Sequence, residues 1–192
     1  MRIGILALQG DFIEHQQTYE SLSIPTKQVR LAADLAGIDG LVIPGGESTT
    51  IGKLAVDFGL MEPLRTFAHS HAVWGTCAGS IFLSKDARRA QPLLGLMDIR
   101  VERNAFGRQV DSFETTLNIP ALQAVAPPNG PFHAVFIRAP LIEETGPQVK
   151  VLATLENGAV VAAQENQWLA TSFHPELTND NRLHRYFMEL IK

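Results

Sequence analysis

Short apolar runs recur along the first half of the chain, and polar or glycine-rich turns end them. Because both faces of these runs are apolar, they are typical of strands buried on both sides of a sheet. Three such strands are predicted, over residues 3–8, 40–43 and 71–74. Residues 26–31 are a further strand candidate, although that stretch is less apolar.

The stretches between these strands have apolar residues at the spacing of an amphipathic helix. Phe12, Tyr19 and Leu22 share one face of a helix, and Asp11 is its predicted N-cap. Two further helices are predicted, one capped by Ser48 or Thr49 and running to about residue 58, the other over residues 61–69. This alternation of strand and helix indicates an α/β fold with a mainly parallel central sheet flanked by helices.

The second half of the chain has a different pattern, in which apolar and polar residues alternate. Such alternation, with turn signals such as Glu-Asn-Gly at residues 156–158, predicts antiparallel strands and hairpins beside the parallel sheet. The predicted strands cover residues 97–102, 110–117, 135–137, 149–155, 159–163 and 168–173. An apolar stripe then predicts a C-terminal helix, formed by Leu183, Phe187, Leu190 and Ile191.

A proline-rich segment over residues 120–131 interrupts these strands. With four prolines and one glycine it is predicted to be a surface loop, too short for a linker between domains. The 192 residues, 45% of them apolar and 19% charged, therefore fit a single globular domain over residues 1–192.

Charge and cysteine content narrow the possible partners and compartment. A net charge of −4 without a long basic run argues against nucleic acid and anionic membranes as main partners. A single cysteine cannot form an internal disulfide, so we expect a reducing cytoplasm. The N-terminal apolar run soon meets Gln9 and Asp11, which indicates a strand rather than a signal peptide.

The single cysteine, Cys77, lies in the sequence Gly-Thr-Cys-Ala-Gly at residues 75–79. Gly-x-nucleophile-x-Gly between a strand and a helix is the pattern of a nucleophile elbow, in which the glycines permit a tight turn. A helix N-terminus also favours an anion such as a thiolate. The alternative is a small buried hydrophobic residue, the common role of a free cysteine.

His174 is the predicted base because Pro175 and Glu176 follow it at the end of an apolar strand. Pro175 favours an extended backbone at His174, and in an extended segment residues i and i+2 point the same way. Glu176 could then orient the imidazole and stabilise its cation, with Cys77 as nucleophile. A strand-end histidine beside a solvated glutamate would have the same pattern.

Three turns at strand ends are predicted to meet at one rim, since open α/β sheets bind ligands at the carboxyl ends of their strands. They are Gln9-Gly10, the Gly-Gly-Glu-Ser segment of residues 45–48, and the elbow. The segment of residues 45–48 lacks the Gly-Lys-Ser/Thr of a P-loop, so its backbone N–H groups better suit an oxyanion or a carboxylate than a phosphate. It could also be only a turn.

Two arginines are candidates for binding a substrate carboxylate. Arg103 stands in a polar block within strand-like sequence, and Arg138 follows a strand. A charged surface loop and a snorkelling side chain are the respective alternatives. The remaining histidines, which lack such neighbours, are predicted to be structural or solvent-facing; they are His15, His69, His71, His133 and His184. No cluster has metal-ligand spacing, and we predict neither metal nor cofactor.

The motifs as a set resemble a known family. Residues 75–79 and 172–176 resemble the class I, or triad, glutamine amidotransferases. Four further blocks resemble the PdxT/Sno family more narrowly, the glutaminase subunits of pyridoxal 5′-phosphate synthase. These blocks cover residues 8–11, 44–50, 101–113 and 136–140. The block around Arg103 is the most specific, and the loop over residues 120–131 departs from the family by its greater length.

This resemblance implies a flavodoxin-like three-layer fold and a defined reaction. The family hydrolyses L-glutamine to glutamate and ammonia, and the ammonia passes to a PdxS-type synthase subunit, a (β/α)₈ barrel. That partner makes pyridoxal 5′-phosphate from two sugar phosphates, in a dodecameric core with glutaminase subunits attached.

By motif position, the resemblance also implies a role for individual residues. Cys77 would be the nucleophile, His174 the general acid and base, and Glu176 its partner. Glutamine contacts are implied at Gly46, Glu47, Ser48, Arg103, Ile137 and Arg138. The oxyanion and activation region is implied at Gln9, Gly45, Gly46 and Ala78.

Two rival functions remain at this point. A catalytically silent module that stabilises a synthase would not need Cys77, His174 and Glu176 together. A cysteine hydrolase of the protease or chaperone type would lack the Arg103 block and the His174-Pro175-Glu176 arrangement.

Overall fold

The computed structural model of the protein describes residues 1–103, 112–125 and 130–191. In these residues a ten-stranded mixed sheet runs through the molecule in the order β2-β1-β3-β4-β12-β11-β9-β6-β5, with β10 paired to β11. A separate antiparallel hairpin is formed by β7 and β8. The strands are β1 (Ile3–Leu6), β2 (Thr26–Val29), β3 (Gly40–Ile43), β4 (Ala72–Thr76), β5 (Ser84–Asp86), β6 (Met97–Glu102), β7 (Ser112–Leu117), β8 (Phe132–Ile137), β9 (Leu141–Thr145), β10 (Lys150–Thr154), β11 (Val160–Glu165) and β12 (Trp168–Thr171).

The predicted division between a parallel and an antiparallel part is confirmed. β1 to β4 and β12 pair in parallel, whereas β9, β10 and β11 pair with their neighbours in antiparallel fashion. β4 and β12 are adjacent, so the strand that precedes Cys77 lies beside the strand that precedes His174. This adjacency brings the two segments to one edge of the sheet.

Helices cover both faces of the sheet. They are α1 (Phe12–Ser21), α2 (Ser48–Asp57), α3 (Met61–Ala68), α4 (Ala78–Leu83) and α5 (Arg182–Glu189). One hydrophobic cluster joins the sheet to α2, α3 and α4, and a second joins it to α1 and α5. Consecutive residues of the same strand enter opposite clusters, as Leu41 and Val42 do. This is the three-layer arrangement that was expected.

Helix capping differs from the sequence prediction at two places. Asp11 precedes α1, but its side chain makes no capping hydrogen bond. For α2 the cap is Glu47, whose carboxylate accepts a hydrogen bond from the Thr50 backbone N–H, so neither Ser48 nor Thr49 holds that role. A carboxylate performs this role because it satisfies a free N–H and complements the positive end of the helix.

The proline-rich segment also differs from the prediction. Pro120–Ala124 forms a 3₁₀ helix in which Leu122 is buried, because that side chain joins the cluster beneath α5. Residues 126–129 lie outside the described part of the chain, as do residues 104–111, which hold most of the Arg103 block. Among the described helices, none has the length and apolar character needed to cross a membrane.

Candidate active site

The three turns predicted to converge do so in one cleft of about 400 Å³ at the carboxyl ends of β1, β3 and β4. Most of the predicted site residues line it, namely Gln9, Gly46, Glu47, Ser48, Cys77, Ala78, Arg103, Ile137, Arg138 and His174. Gly45 lies against the His174 ring, where an added Cβ would be 2.5 Å from Cε1. Glu176 is buried behind the same ring.

Cys77 occupies a strained turn between β4 and α4. Its φ is +45°, in the left-handed region that non-glycine residues rarely adopt, and its N–H donates to the Thr171 carbonyl at 2.8 Å. Both flanking glycines are required by close packing. A Cβ on Gly75 would lie 2.4 Å from the Gly79 carbonyl oxygen, and one on Gly79 would lie 2.0 Å from that of Ile43. The turn therefore has the geometry of a nucleophile elbow.

His174 and Glu176 are joined by a buried hydrogen bond. His174 Nδ1 is 2.7 Å from Glu176 Oε1, and the backbone N–H of His174 donates to the Val135 carbonyl at 2.8 Å. The predicted contact is confirmed, but its geometry differs, because Glu176 lies in a short 3₁₀ helix over Pro175–Leu177 rather than in an extended segment. This bond fixes the ring orientation and leaves Nε2 available on the other side of the ring.

The electrostatics of this pair favour a cationic imidazole. Burial lowers the pKa of His174, but hydrogen bonding and charge at Cys77 and Glu176 outweigh it and raise the pKa to about 10. Burial raises the pKa of Glu176, and the hydrogen bond and positive charge of His174 oppose that rise. We take the carboxylate to stay ionised at neutral pH, because it accepts a hydrogen bond from an imidazolium at 2.7 Å.

Glu47 and Arg103 form an ion pair at the mouth of the cleft. Arg103 Nη2 donates to Glu47 Oε1 at 2.7 Å, and Nη1 donates to Thr49 Oγ1 at 3.0 Å. Burial raises the pKa of Glu47, but hydrogen bonds from Thr50, Thr49 and Arg103 outweigh this and lower the pKa to about 2. Part of the Arg103 fork therefore already binds the protein, and the predicted contact with a carboxylate would use the donors that remain.

Arg138 is the second cation of the cleft. It lies just after β8, is exposed and has a φ of +44°. Within the described residues no ion pair is formed by its side chain. Its guanidinium is therefore better placed than that of Arg103 to meet an incoming carboxylate.

The glycine pair is held by the first turn of the chain. The Gly45 carbonyl oxygen accepts from the Asp11 N–H at 3.1 Å, and Gln9 Oε1 accepts from the Glu47 N–H at 2.7 Å. Gly46 has a φ of +150° and approaches Gln9 so closely that a Cβ would lie 2.5 Å from its Oε1. Because carbonyl and N–H point in opposite directions across a trans peptide, the bond to Asp11 directs the Gly46 N–H away from that turn.

Sequence reasoning missed two buried histidines next to this site. His15 and His184 were predicted to be structural or solvent-facing; both are fully buried, and His15 Nδ1 lies 3.1 Å from His184 Nε2. His15 Nε2 also lies 3.3 Å from Glu176 Oε2. A signal was present, since Phe12, His15 and Tyr19 are spaced to share one face of α1.

Two of the other histidines also have partners. Exposed His133 pairs with Glu114 at 2.7 Å, and His71 stacks on Phe67. Neither lines the cleft.

One group of potential metal ligands escaped the spacing argument. Donor atoms of Asp11, His174 and Glu176 lie within 4.8 Å of one another, although the first is remote in sequence. Both carboxylates face Nδ1 of His174, at 3.5 Å and 2.7 Å. In an imidazolium that nitrogen carries a proton and is a hydrogen-bond donor, so the cluster is accounted for without a metal.

Comparison with known proteins agrees with the motifs. A family model described as the SNO glutamine amidotransferase family matches residues 5–192. Two proteins named pyridoxal 5′-phosphate synthase subunit PdxT are similar over full length. The one from Herpetosiphon aurantiacus is 53% identical over 99% of this chain and 100% of its own, and the one from Moorella thermoacetica is 55% identical over 100% of both.

Structural similarity leads to the same group. A crystal structure of a glutamine amidotransferase superposes with a TM-score of 0.91 and 49% identity, covering 98% of each chain. The resemblance drawn from the motifs is thus confirmed over nearly the whole length. The chain belongs to the SNO glutamine amidotransferase family.

Proposed function

We propose that this chain is the glutaminase subunit of a pyridoxal 5′-phosphate synthase, and that it hydrolyses L-glutamine to L-glutamate and ammonia. The relatives named above carry that subunit name. The observation that carries the proposal is the meeting of Cys77 and His174 in one cleft, with Glu176 hydrogen-bonded to the imidazole at 2.7 Å. A nucleophile, a base and an orienting carboxylate are the parts that acyl transfer requires.

The reaction follows from these three side chains. Cys77 Sγ attacks the side-chain amide carbon of glutamine, and the carbonyl oxygen becomes a tetrahedral oxyanion. His174 gives its proton to the amide nitrogen, so the C–N bond breaks, ammonia leaves and a γ-glutamyl thioester remains. His174 then takes a proton from water, which attacks the thioester and releases glutamate and the thiolate. Glu176 stabilises the imidazolium before ammonia leaves and after water attacks.

The oxyanion would be held by the backbone N–H groups of Gly46 and Ala78, which flank Cys77 in the cleft. We infer that the peptide joining Gly45 and Gly46 turns when the synthase docks, so that a free subunit does not waste glutamine. Two observations support this: the Gly45 carbonyl is tied to Asp11, and the glycine pair can rotate at low steric cost. Gln9, which bonds the Glu47 N–H, would take part in this change.

The charges at the mouth suit the other end of glutamine. Glu47, with its pKa near 2, is an anion for the α-ammonium group. Arg138 and the remaining donors of Arg103 would bind the α-carboxylate. Ser48 and Ile137, which also line the cleft, complete the proposed contacts.

The remaining expectations belong to the same proposal. The partner would be a PdxS-type synthase subunit in a dodecameric core, which receives the ammonia. A reducing cytoplasm fits the single cysteine. The ten-stranded sheet contains both the first and the last strand of the chain, β1 and β12. This supports treating residues 1–192 as a single domain.

The test is ammonia and glutamate release from glutamine, measured with the purified chain alone and with a synthase subunit added. We expect turnover that the synthase strongly increases. Equal turnover without the synthase would contradict the gating, and no turnover in either case would favour a silent module. Hydrolysis of peptide substrates but not glutamine would favour the protease-type alternative.

A further inference from the structure

His15 reaches the triad from outside the cleft. It belongs to α1 and does not line the cleft, yet its Nε2 lies 3.3 Å from Oε2 of Glu176. The other oxygen, Oε1, is the one bonded to His174. In the part of the chain that the structure describes, Oε2 has no hydrogen bond of standard geometry. His15 is therefore the side chain placed to complete the coordination of this carboxylate.

The ring of His15 is fixed by side chains of β4 and α5. Its Nδ1 is 3.1 Å from Nε2 of His184 in α5, and its Nε2 is 3.2 Å from Oγ1 of Thr76, the residue before Cys77. Trp74 packs edge-on against both imidazoles, with ring centroids 5.5 Å from His15 and 5.0 Å from His184. A fully buried ring held on three sides cannot rotate away from Glu176 without disturbing the core.

Both imidazoles are neutral. Burial, together with repulsion by His184 and His174, lowers the pKa of His15 well below its usual value. Burial lowers the pKa of His184 to about 3. Each ring therefore carries one N–H, and the hydrogen-bond network decides which nitrogen holds it.

The network favours a proton on Nε2 of both rings. His184 Nδ1 is buried without a partner, so a hydrogen there would be an unsatisfied donor, which costs more than an unused lone pair. His184 Nε2–H then donates to His15 Nδ1, and His15 carries its hydrogen on Nε2. In the opposite tautomer Nε2 would carry a lone pair instead, at 3.3 Å from a carboxylate oxygen.

We propose that His15 is a positioning residue, whose Nε2–H is shared between Thr76 Oγ1 and the second carboxylate oxygen of Glu176 and so keeps the first oxygen directed at His174. The proposal rests on the glutaminase function proposed above. His184 acts through His15 by fixing its tautomer. The triad of Cys77, His174 and Glu176 thus extends into the core, where helices α1 and α5 determine its alignment.

The kinetic test compares two substitutions of the same residue. His15→Leu removes the donor and is expected to lower kcat by about tenfold with the synthase present, while KM for glutamine changes less than about twofold. His15→Gln keeps an N–H at a similar reach and should recover most of the loss. His71→Leu, which removes a half-buried histidine that packs on an aromatic ring and does not line the cleft, is the control.

Rates are expressed per reactive Cys77, counted by labelling with a glutamine-analogue electrophile, so that misfolded protein does not lower the result. Wild-type kcat in His15→Leu, or equal losses in His15→Leu and His15→Gln, would overturn the proposal. A loss of similar size in His71→Leu would do so as well, because it would indicate a general effect on folding.

A second measurement needs no activity. Long-range ¹H–¹⁵N NMR of the histidine rings of the wild-type chain reports the tautomer of His15, assigned by the signals lost in His15→Gln. We expect the Nε2–H form, and the Nδ1–H form would refute the proposal. Absence of glutamine turnover in the wild-type complex would instead remove the proposed function, with the tautomer still deciding the role of His15.

Discussion

The floor of the cleft, formed by Cys77, His174 and Glu176, differs sharply from its rim, formed by Glu47, Arg103 and Arg138. The floor side chains are buried, and a hydrogen bond of 2.7 Å joins His174 to Glu176. At the rim, the Glu47 side chain is 42% exposed and pairs with Arg103 in contact with solvent, and Arg138 is exposed. One small cleft thus combines two electrostatic environments.

The difference corresponds to two tasks. Charges in a buried floor interact strongly because little water screens them, so a misaligned atom is costly and the directions of bonds matter. Charges at an exposed rim interact weakly and are screened by salt, but they recognise an ionic ligand without exact geometry. Floor substitutions should therefore change turnover, and rim substitutions should change binding.

The largest effect is expected from removing the nucleophile. Cys77→Ala should lower ammonia release by at least about 10³-fold, because no other side chain of the floor can form the thioester. Binding to the synthase, followed by size-exclusion chromatography, should stay unchanged since Cys77 is buried. Turnover within tenfold of the wild type would remove Cys77 from its role.

A large effect is also expected from Glu176→Gln, which keeps the shape and removes the charge. The substitution removes the anion that stabilises the imidazolium and fixes the tautomer of the ring. We therefore expect kcat to fall by about 10²–10⁴-fold while KM changes little. Steady-state kinetics of the complex would measure both. The matched control is Glu189→Gln at an exposed position of α5, which should have wild-type kinetics. A rise in KM alone at Glu176→Gln would assign this residue to the rim.

The rim is tested by Glu47→Gln, for which we expect the opposite pattern. Loss of the anion should raise KM for glutamine about tenfold and change kcat by less than about threefold. Wild-type KM should itself rise with salt, because the rim charges are screened. Glu62→Gln breaks another exposed glutamate–arginine pair, with Arg65, and serves as the control. A fall in kcat with unchanged KM would contradict the division between floor and rim.

The smallest effect concerns stability and pH. The pKa of His174 is raised from 6.5 to about 10, so its protonated form stabilises the folded state. This contribution is fully present below about pH 6.5 and is lost as the pH rises toward 10. The free energy of unfolding, measured by urea denaturation at pH 6.5 and 7.5, should therefore decrease more in the wild type than in His174→Gln. The difference should be on the order of 1 kcal/mol, and parallel decreases would show that His174 is not protonated in the folded protein.

Much of the fold could be predicted from local patterns. Buried parallel strands need apolar side chains on both faces, so β1, β3 and β4 stand out as apolar runs. The boundaries shifted by a few residues, as at β1, which ends at Leu6 rather than Leu8. The elbow at Cys77 was also predictable from a local pattern, because only glycine fits at positions 75 and 79. The contact between His174 and Glu176 is likewise short-range.

Contacts between distant segments could not be read from the chain. Glu47 caps α2 and pairs with Arg103, a contact across 56 positions that no local pattern predicts. His15 meets Glu176 and His184 across 161 and 169 positions, and no local pattern gives those distances.

The amino-acid sequence by itself determined the strands, the elbow and the choice of the three side chains proposed to be catalytic, because each depends on neighbours within a few residues. Tertiary structure alone decided which groups support them. Strand order places β4 beside β12, and the packing of α1 and α5 places two neutral imidazoles behind Glu176. The physical reason is that burial and the direction of a hydrogen bond are properties of packed elements, which a linear pattern does not contain.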